Sequence, residues 1–261
     1  MASKRFDAVV FDWAGTTVDY GCFAPVQAFM DAFKEFGVEP TVAQTREPMG
    51  MSKRDHVATM LKMEGIANAW QQTHGSAASE ADVDAVYAKF EPNLFAILEQ
   101  FAAPKPHVLD AVASLRDMGV KIGSTTGYTD QMMHVVAPKA AELGYEPDCW
   151  FSADSTNGFG RPYPYMVFRN LEALHCQDVR RVVKVGDTVS DIQEGKNAGV
   201  FTVGVVEGSS AMALSATDFN ALSETEQEAA RQQVRSVFVQ AGADAVIDNM
   251  AQLPGLVADQ R

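Results

Sequence analysis

Cysteine is scarce. The 261-residue chain holds three, Cys22, Cys149 and Cys176, and no two stand at C-x-x-C spacing. That excludes a disulfide framework and a thiolate zinc site, and it fits a reducing compartment such as the cytoplasm. Positive charge is also short: 21 Lys and Arg face 34 Asp and Glu, for a formal net charge of -13. A chain this acidic lacks the concentrated basic face that nucleic-acid binding requires, and an anionic substrate would have to be met by a metal ion and a few placed cations. No stretch approaches the roughly 18 apolar residues of a membrane span. Met1-Ala2-Ser3-Lys4-Arg5 leads into the first apolar run with no signal-like segment. The expectation is therefore a cytoplasmic protein with no membrane or nucleic-acid partner. What remains is ordinary for a globular chain, 47% hydrophobic and 21% charged, and long enough to bury a sizeable core.

The first apolar run, Phe6 to Phe11, is brief, rich in Val and Phe and closed by a Gly-containing turn, the marks of a buried strand. From Pro104 onward the pattern alternates. Helix 108–118, strand 120–125 and helix 130–143 lead to a short strand around Cys149-Trp150-Phe151. Helix 165–174, strand 181–185, helix 190–198 and strand 201–206 follow. Ser215 to Gln240 reads as one or two long surface helices, and Ala245 to Asp248 as a last edge strand. Such alternation predicts a parallel sheet covered on both faces.

Between these parts, Gly21 to Ala103 carries only helical patterns. One helix runs 23–36 and stops at Gly37; a second is capped by Ser52, with Asp55 three positions on, and runs to Met63; a third opens at Ser79 and passes Pro92, which bends or divides it. About eighty residues are too many for one crossover connection, so a separate insert is expected. The predicted architecture is α/β: a Rossmann-like parallel-sheet core of residues 1–20 and 104–261, with an inserted all-helical cap of residues 21–103.

Polar residues gather where the predicted strands end. Asp12 closes the first strand and is followed by Ala14-Gly15-Thr16-Thr17. A carboxylate so placed serves as nucleophile, metal ligand or helix cap. The strand 120–125 empties into Thr126-Gly127-Tyr128, where a hydroxyl beside a free amide suits a phosphoryl oxygen, although a plain loop has the same composition. Arg161 sits in the Pro-rich turn Gly160 to Pro164, a surface arginine or a cation for a phosphoryl group. Gly186-Asp187-Thr188-Val189-Ser190-Asp191 follows the next strand, with two carboxylates four apart around a helix start.

Taken in order, Asp12 to Thr16, Thr126, Arg161 and Gly186 to Asp191 resemble the haloacid dehalogenase superfamily of aspartyl-nucleophile phosphotransferases. The resemblance covers the whole chain, because the helical insert falls where that superfamily places its mobile cap. It implies that Asp12 forms an aspartyl phosphate and that Mg2+ binds Asp12, the main-chain carbonyl of Ala14 and Asp187. Asp191 is then a supporting residue that orients Asp187 or Arg161. One position departs: superfamily phosphatases carry a second Asp, an acid for the leaving alkoxide, where this chain has Ala14. Either the leaving group is not an ordinary alcohol oxygen or the copy is inactive.

Met49-Gly50-Met51-Ser52-Lys53-Arg54-Asp55-His56 starts a cap helix at a glycine hinge. The positive helix terminus and Arg54 disfavour an extra proton on Lys53, and desolvation by Met49 and Met51 would add to this, as a Schiff-base lysine requires. His56, three positions on, shares a helical face with Lys53 and can move protons, although an exposed helix carries such residues by chance too. Cleaving a carbon–phosphorus bond expels a carbanion, which an imine one carbon away converts to an enamine. That chemistry needs a lysine and no acid at position 14.

Phe11 to Pro25, Pro48-Met49-Gly50, Lys53, Asp55-His56-Val57, Ile122 to Tyr128, Gly160 to Pro164 and Val185 to Asp191 together resemble the phosphonoacetaldehyde hydrolase family almost end to end. The resemblance implies hydrolysis of phosphonoacetaldehyde to acetaldehyde and phosphate, in 2-aminoethylphosphonate degradation, by a homodimer. Asp12, Lys53 and His56 would be catalytic; Thr126, Gly127, Arg161, Tyr128, Cys22 and Met49 would meet the substrate. The alternatives are a phosphatase or phosphomutase of the superfamily acting on a C–O–P ester, and a non-catalytic phosphate-binding module.

Overall fold

The computed structural model describes residues 5–49 and 53–258. The expected Ser52 cap, with Gly50 and Met51 beside it, lies outside the described residues. The chain divides into two compact units, one of residues 23–101 and one of residues 1–22 with 102–261.

Residues 23–101 form helices α1 (Phe23–Glu35), α2 (Val42–Arg46), α3 (Lys53–Lys62), α4 (Glu64–His74) and α5 (Glu80–Leu98). Their apolar stripes bury Phe29, Phe33, Met60, Trp70, Phe90 and Leu94 almost completely. Each fully buried side chain of this size contributes about 2–3 kcal/mol. Phe29 lies between two rings, stacked on His56 at 3.9 Å and on Phe90 at 4.1 Å between centroids. Ser79 opens α5 with a capping box closed by Asp82. The helix then runs unbroken through Pro92. A proline removes one backbone hydrogen bond, and burial of Phe90 and Leu94 on either side of it holds the helix together. Helix α4 has no counterpart in the sequence pattern. Its N-cap is Met63, which makes no side-chain cap bond, and only its end is signalled, at Gly75 with φ 77°.

The other unit holds strands β1 (Ala8–Phe11), β2 (Lys121–Thr125), β3 (Cys149–Phe151), β4 (Val182–Gly186), β5 (Phe201–Val205) and β6 (Ala245–Ile247). All pairings are parallel, in the order β3-β2-β1-β4-β5-β6. Helices α6 (Val108–Asp117), α7 (Asp130–Glu142), α8 (Tyr165–Ala173), α9 (Val189–Ala198), α10 (Ala216–Ala221), α11 (Glu224–Gln240) and α12 (Leu253–Ala258) complete it. Ala8, Val10 and Val182 pack with Val167 and Leu171 of α8. Ile192 and Val206 pack with Phe219, Val234 and Phe238 of α10 and α11. The sheet is thus apolar on both faces, as parallel sheets are.

Two features place the site. Order reverses at β1 and β4, which are neighbours although the chain leaves β1 towards β2 and β3, and a crevice opens beyond the carboxyl ends of strands at such a switch. The register is also level. Phe11 stands opposite both Ser124 and Val185, so the residues following β1, β2 and β4 emerge at one height.

Candidate active site

Asp12 leaves β1 with its N–H donating to the Val185 carbonyl at 2.9 Å, and it is 4% exposed. The loop then closes on itself: the Thr17 hydroxyl donates to the Asp12 carbonyl at 3.0 Å. The Thr16 hydroxyl donates to Asp187 at 2.8 Å and approaches the Asp12 carboxylate only to 3.4 Å. Gly15, at φ 86°, could not be anything larger, since a Cβ there would lie 2.2 Å from the Asp187 carboxylate.

Arg161 is buried against this carboxylate. Its Nη2 donates to Asp12 at 2.5 Å and to the Thr125 hydroxyl at 3.0 Å, while its Nε faces Glu194 at 3.1 Å and Asp191 at 3.2 Å. Burial disfavours the guanidinium charge, but Asp12, Asp191 and Glu194 outweigh it and push the pKa well above the usual arginine value. Asp191 is fully committed. One oxygen accepts from Lys184 at 2.7 Å, and the other from the Thr188 hydroxyl at 2.5 Å in the capping box of α9. Burial pushes its carboxyl up, yet Arg161 and Lys184 hold it below the usual range. Glu194, raised by burial and only partly relieved by Arg161 and Lys184, keeps one oxygen, Oε1, without a hydrogen-bond partner.

Asp187 is where charge is least compensated. Its oxygens accept from Thr16 and from the Ser210 N–H at 2.7 Å. Burial, then repulsion from Asp12 and Asp191, raises its pKa from 3.8 to about 7. Asp12, Asp187 and Asp191 offer oxygens within 4.8 Å of one another. An all-oxygen acidic set of this kind fits a hard divalent cation, whose charge would offset the repulsion raising Asp187. Asp191 is already paired with Lys184 and Arg161, whereas Asp187 accepts from a hydroxyl and an amide, so Asp187 is the carboxylate whose charge a cation would relieve most.

Thr126 is buried and accepts the Tyr128 N–H on its hydroxyl at 3.0 Å, leaving its own proton to donate. Gly127 is exposed, whereas Tyr128 is buried, its phenol raised by desolvation and by the negative charge of Asp19, Cys22 and Asp12. Cys22 is buried at φ 53°.

The helical unit carries the remaining candidates. Lys53 is the first residue of α3 and is partly exposed, as is Met49. His56 is fully buried; its Nε2 lies 2.8 Å from the Thr45 carbonyl and therefore carries the proton, while Nδ1 has no hydrogen-bond partner. Burial, then the charge on Lys53, lowers its pKa from 6.5 to about 3, so the ring is neutral.

Sequence reasoning passed over Lys184, Glu194, Thr125, Ser210 and Lys105. Two of these left a signal. Lys184 is a lone cation in the fully buried strand Val-Val-Lys-Val-Gly, and Glu194 lies one helical turn after Asp191.

The family model of haloacid dehalogenase-like hydrolases matches residues 6–199. A phosphonoacetaldehyde hydrolase from Lysinibacillus sphaericus is 47% identical over 97% of this chain and 94% of its own length. A bifunctional phosphonoacetaldehyde hydrolase/aminoethylphosphonate transaminase from Clostridioides difficile is 46% identical over 97% of this chain, which spans 40% of that longer protein. The crystal structure of a phosphonoacetaldehyde hydrolase-like protein from Oleispira antarctica superposes with a TM-score of 0.91 at 38% identity, covering 99% of this chain and 93% of its own. The chain is a hydrolase of the haloacid dehalogenase superfamily and belongs to its phosphonoacetaldehyde hydrolase family.

Proposed function

We propose that this protein hydrolyses the carbon–phosphorus bond of phosphonoacetaldehyde, giving acetaldehyde and phosphate. The observation that carries the reading is Ala14: two residues beyond the nucleophile, the buried loop presents a methyl group where cleavage of a phosphate ester calls for an acid. Charge in the leaving group must then be absorbed elsewhere, and Lys53 at the start of α3 supplies the amine that can do it.

In the proposed sequence the Lys53 amine adds to the aldehyde and expels water, forming a protonated imine. Asp12 attacks phosphorus, forming the aspartyl phosphate as the carbon–phosphorus bond breaks. The bonding pair passes into the adjacent carbon and is taken up by the imine nitrogen as an enamine. Protonation at carbon restores an imine; one water releases acetaldehyde and Lys53, and a second releases phosphate and Asp12. Asp12, Asp187 and the Ala14 carbonyl would hold Mg2+, which when bound neutralises the oxygens of the phosphonate. Arg161, already against Asp12, steadies the same charge together with Thr126 and the Gly127 N–H. His56, neutral and with Nδ1 without a hydrogen-bond partner, is assigned the proton transfers of imine formation in this reading. Asp191 orients Arg161. Cys22, Tyr128 and Met49 complete the substrate pocket in this reading. The proposal also includes a cytoplasmic homodimer that feeds on 2-aminoethylphosphonate degradation. An exposed aromatic cluster of Phe159, Tyr163 and Tyr165 is an apolar face in keeping with self-association.

Borohydride reduction in the presence of substrate tests the mechanism. A secondary-amine adduct mapped by mass spectrometry to Lys53 is expected; no adduct, or one on another lysine, overturns the imine route. Phosphate release from simple monoesters and none from phosphonoacetaldehyde would establish an ester phosphatase instead.

A further inference from the structure

Lys105 stands between two prolines, Pro104 and Pro106, where the chain re-enters the α/β unit. It is 6% exposed and makes no ion pair among the described residues. Its three N–H bonds go to backbone carbonyls instead: Gly15, Glu207 at 2.8 Å and Gly208 at 3.0 Å. A buried ammonium spent wholly on carbonyls is expensive unless their placement matters.

Both sides of this clamp end on the divalent-cation site. On one side, the Gly15 N–H donates to the carbonyls of Val18 at 2.8 Å and Asp19 at 3.1 Å. A trans peptide sets the Ala14 carbonyl antiparallel to that N–H, so Ala14 is turned away from the loop interior. Lys105 pins the following peptide through the Gly15 carbonyl, and its own N–H holds the Thr17 carbonyl at 2.8 Å. On the other side, the segment 207–208 leads directly to Ser210, whose N–H binds the Asp187 carboxylate. That segment has no slack: Gly208 sits at φ 68°, its carbonyl also accepts the Gly21 N–H at 2.8 Å, and a Cβ on it would meet the Tyr20 ring at 2.6 Å.

We propose that Lys105 is a positioning residue for the divalent-cation site, holding the Ala14–Gly15 turn and the 207–210 segment in the mutual placement that presents the Ala14 carbonyl and the Asp187 carboxylate to one ion. The proposal rests on the metal reading above. Charge and position act here in opposite directions. Lys105 is a positive charge near Asp187 and Asp12, so by charge alone its removal strengthens cation binding. By position, its removal weakens it.

The test is calorimetric titration of the substrate-free protein with MgCl2, comparing wild type with Lys105→Met. The expected result is a Kd for Mg2+ raised about 10-fold or more, with KM for substrate at saturating Mg2+ changed far less than the Kd. An unchanged or lowered Kd overturns the proposal, even if the melting temperature falls. Should Lys105→Met not fold, Lys105→Arg keeps the charge but cannot place one nitrogen among three carbonyls. A severalfold rise in its Kd supports the proposal; a wild-type Kd in a folded protein overturns it. Wild-type protein that takes up no Mg2+ would overturn the metal reading itself.

Discussion

The two units treat charge in opposite ways. In the α/β unit, Asp12, Asp187, Asp191 and Glu194 are buried beside Arg161 and Lys184, and nearly every oxygen is spoken for. In the helical unit, the buried titratable side chain among the described residues is His56, neutral and stacked on Phe29. The contrast matches the chemistry of each proposed half-reaction. Phosphoryl transfer moves negative charge between fixed oxygens and gains from preorganised cations. An amine that must lose its proton gains from surroundings that disfavour its charge.

Substitutions can break this division, and the largest effect is expected at the nucleophile. Asp12→Asn should lower kcat by at least about 10⁴-fold and abolish any phosphorylated enzyme seen by rapid-quench mass spectrometry. It should leave the Lys53 borohydride adduct in place, which separates the two units directly. Lys53→Arg keeps the positive charge but loses the nucleophilic amine. Carbon–phosphorus cleavage should fall by about 10³-fold or more, with Mg2+ affinity unchanged; residual activity within tenfold of wild type would count against the imine.

Arg161→Met removes one cation from three carboxylates. Leaving buried charge uncompensated should cost about 3–5 kcal/mol of stability, measured by urea unfolding, and Mg2+ should recover more stability in the variant than in wild type. The last effect is absent at neutral pH and shows only as a slope in acid. His56 is held near a pKa of 3 in the fold against 6.5 in the unfolded chain, so the unfolded state binds the proton first as pH falls. Stability from this residue is complete above pH 6.5 and is lost progressively down towards pH 3, at about 1.4 kcal/mol per pH unit. His56→Phe should flatten the acid limb of the unfolding curve over that window, and an unaltered limb would show that His56 is not buried neutral.

The units also differ in how much of them was legible in the sequence. Strands of the α/β unit are short Val-rich runs between helical patterns, and the residues that end them were readable because chemistry-bearing types followed each run. The expected edge strand at Ala245 to Asp248 is present as Ala245–Ile247. Side chains that reach the site from within an element were not readable. Lys184 points from the middle of β4, and Lys105 gives its charge to carbonyls, which have no signature in a string of residue names. In the helical unit, periodicity found α1, α3 and α5 but missed the five-residue α2, and also α4, whose N-cap forms no side-chain bond and whose first turn contains Gly65. Pro92 does not divide its helix, because its local cost is overridden by packing that spans it.

The pairing of β1 carries a consequence for synthesis. Residues 8–11 find their two neighbours at 121–124 and 182–185, whereas α1 to α5 contact one another within 23–101. On a ribosome, the inserted helices can close their core while the strand that precedes them still waits for its partners. The nucleophile is made before the insert and installed after it, so a chain truncated before residue 182 would hold a finished insert on an unfinished host.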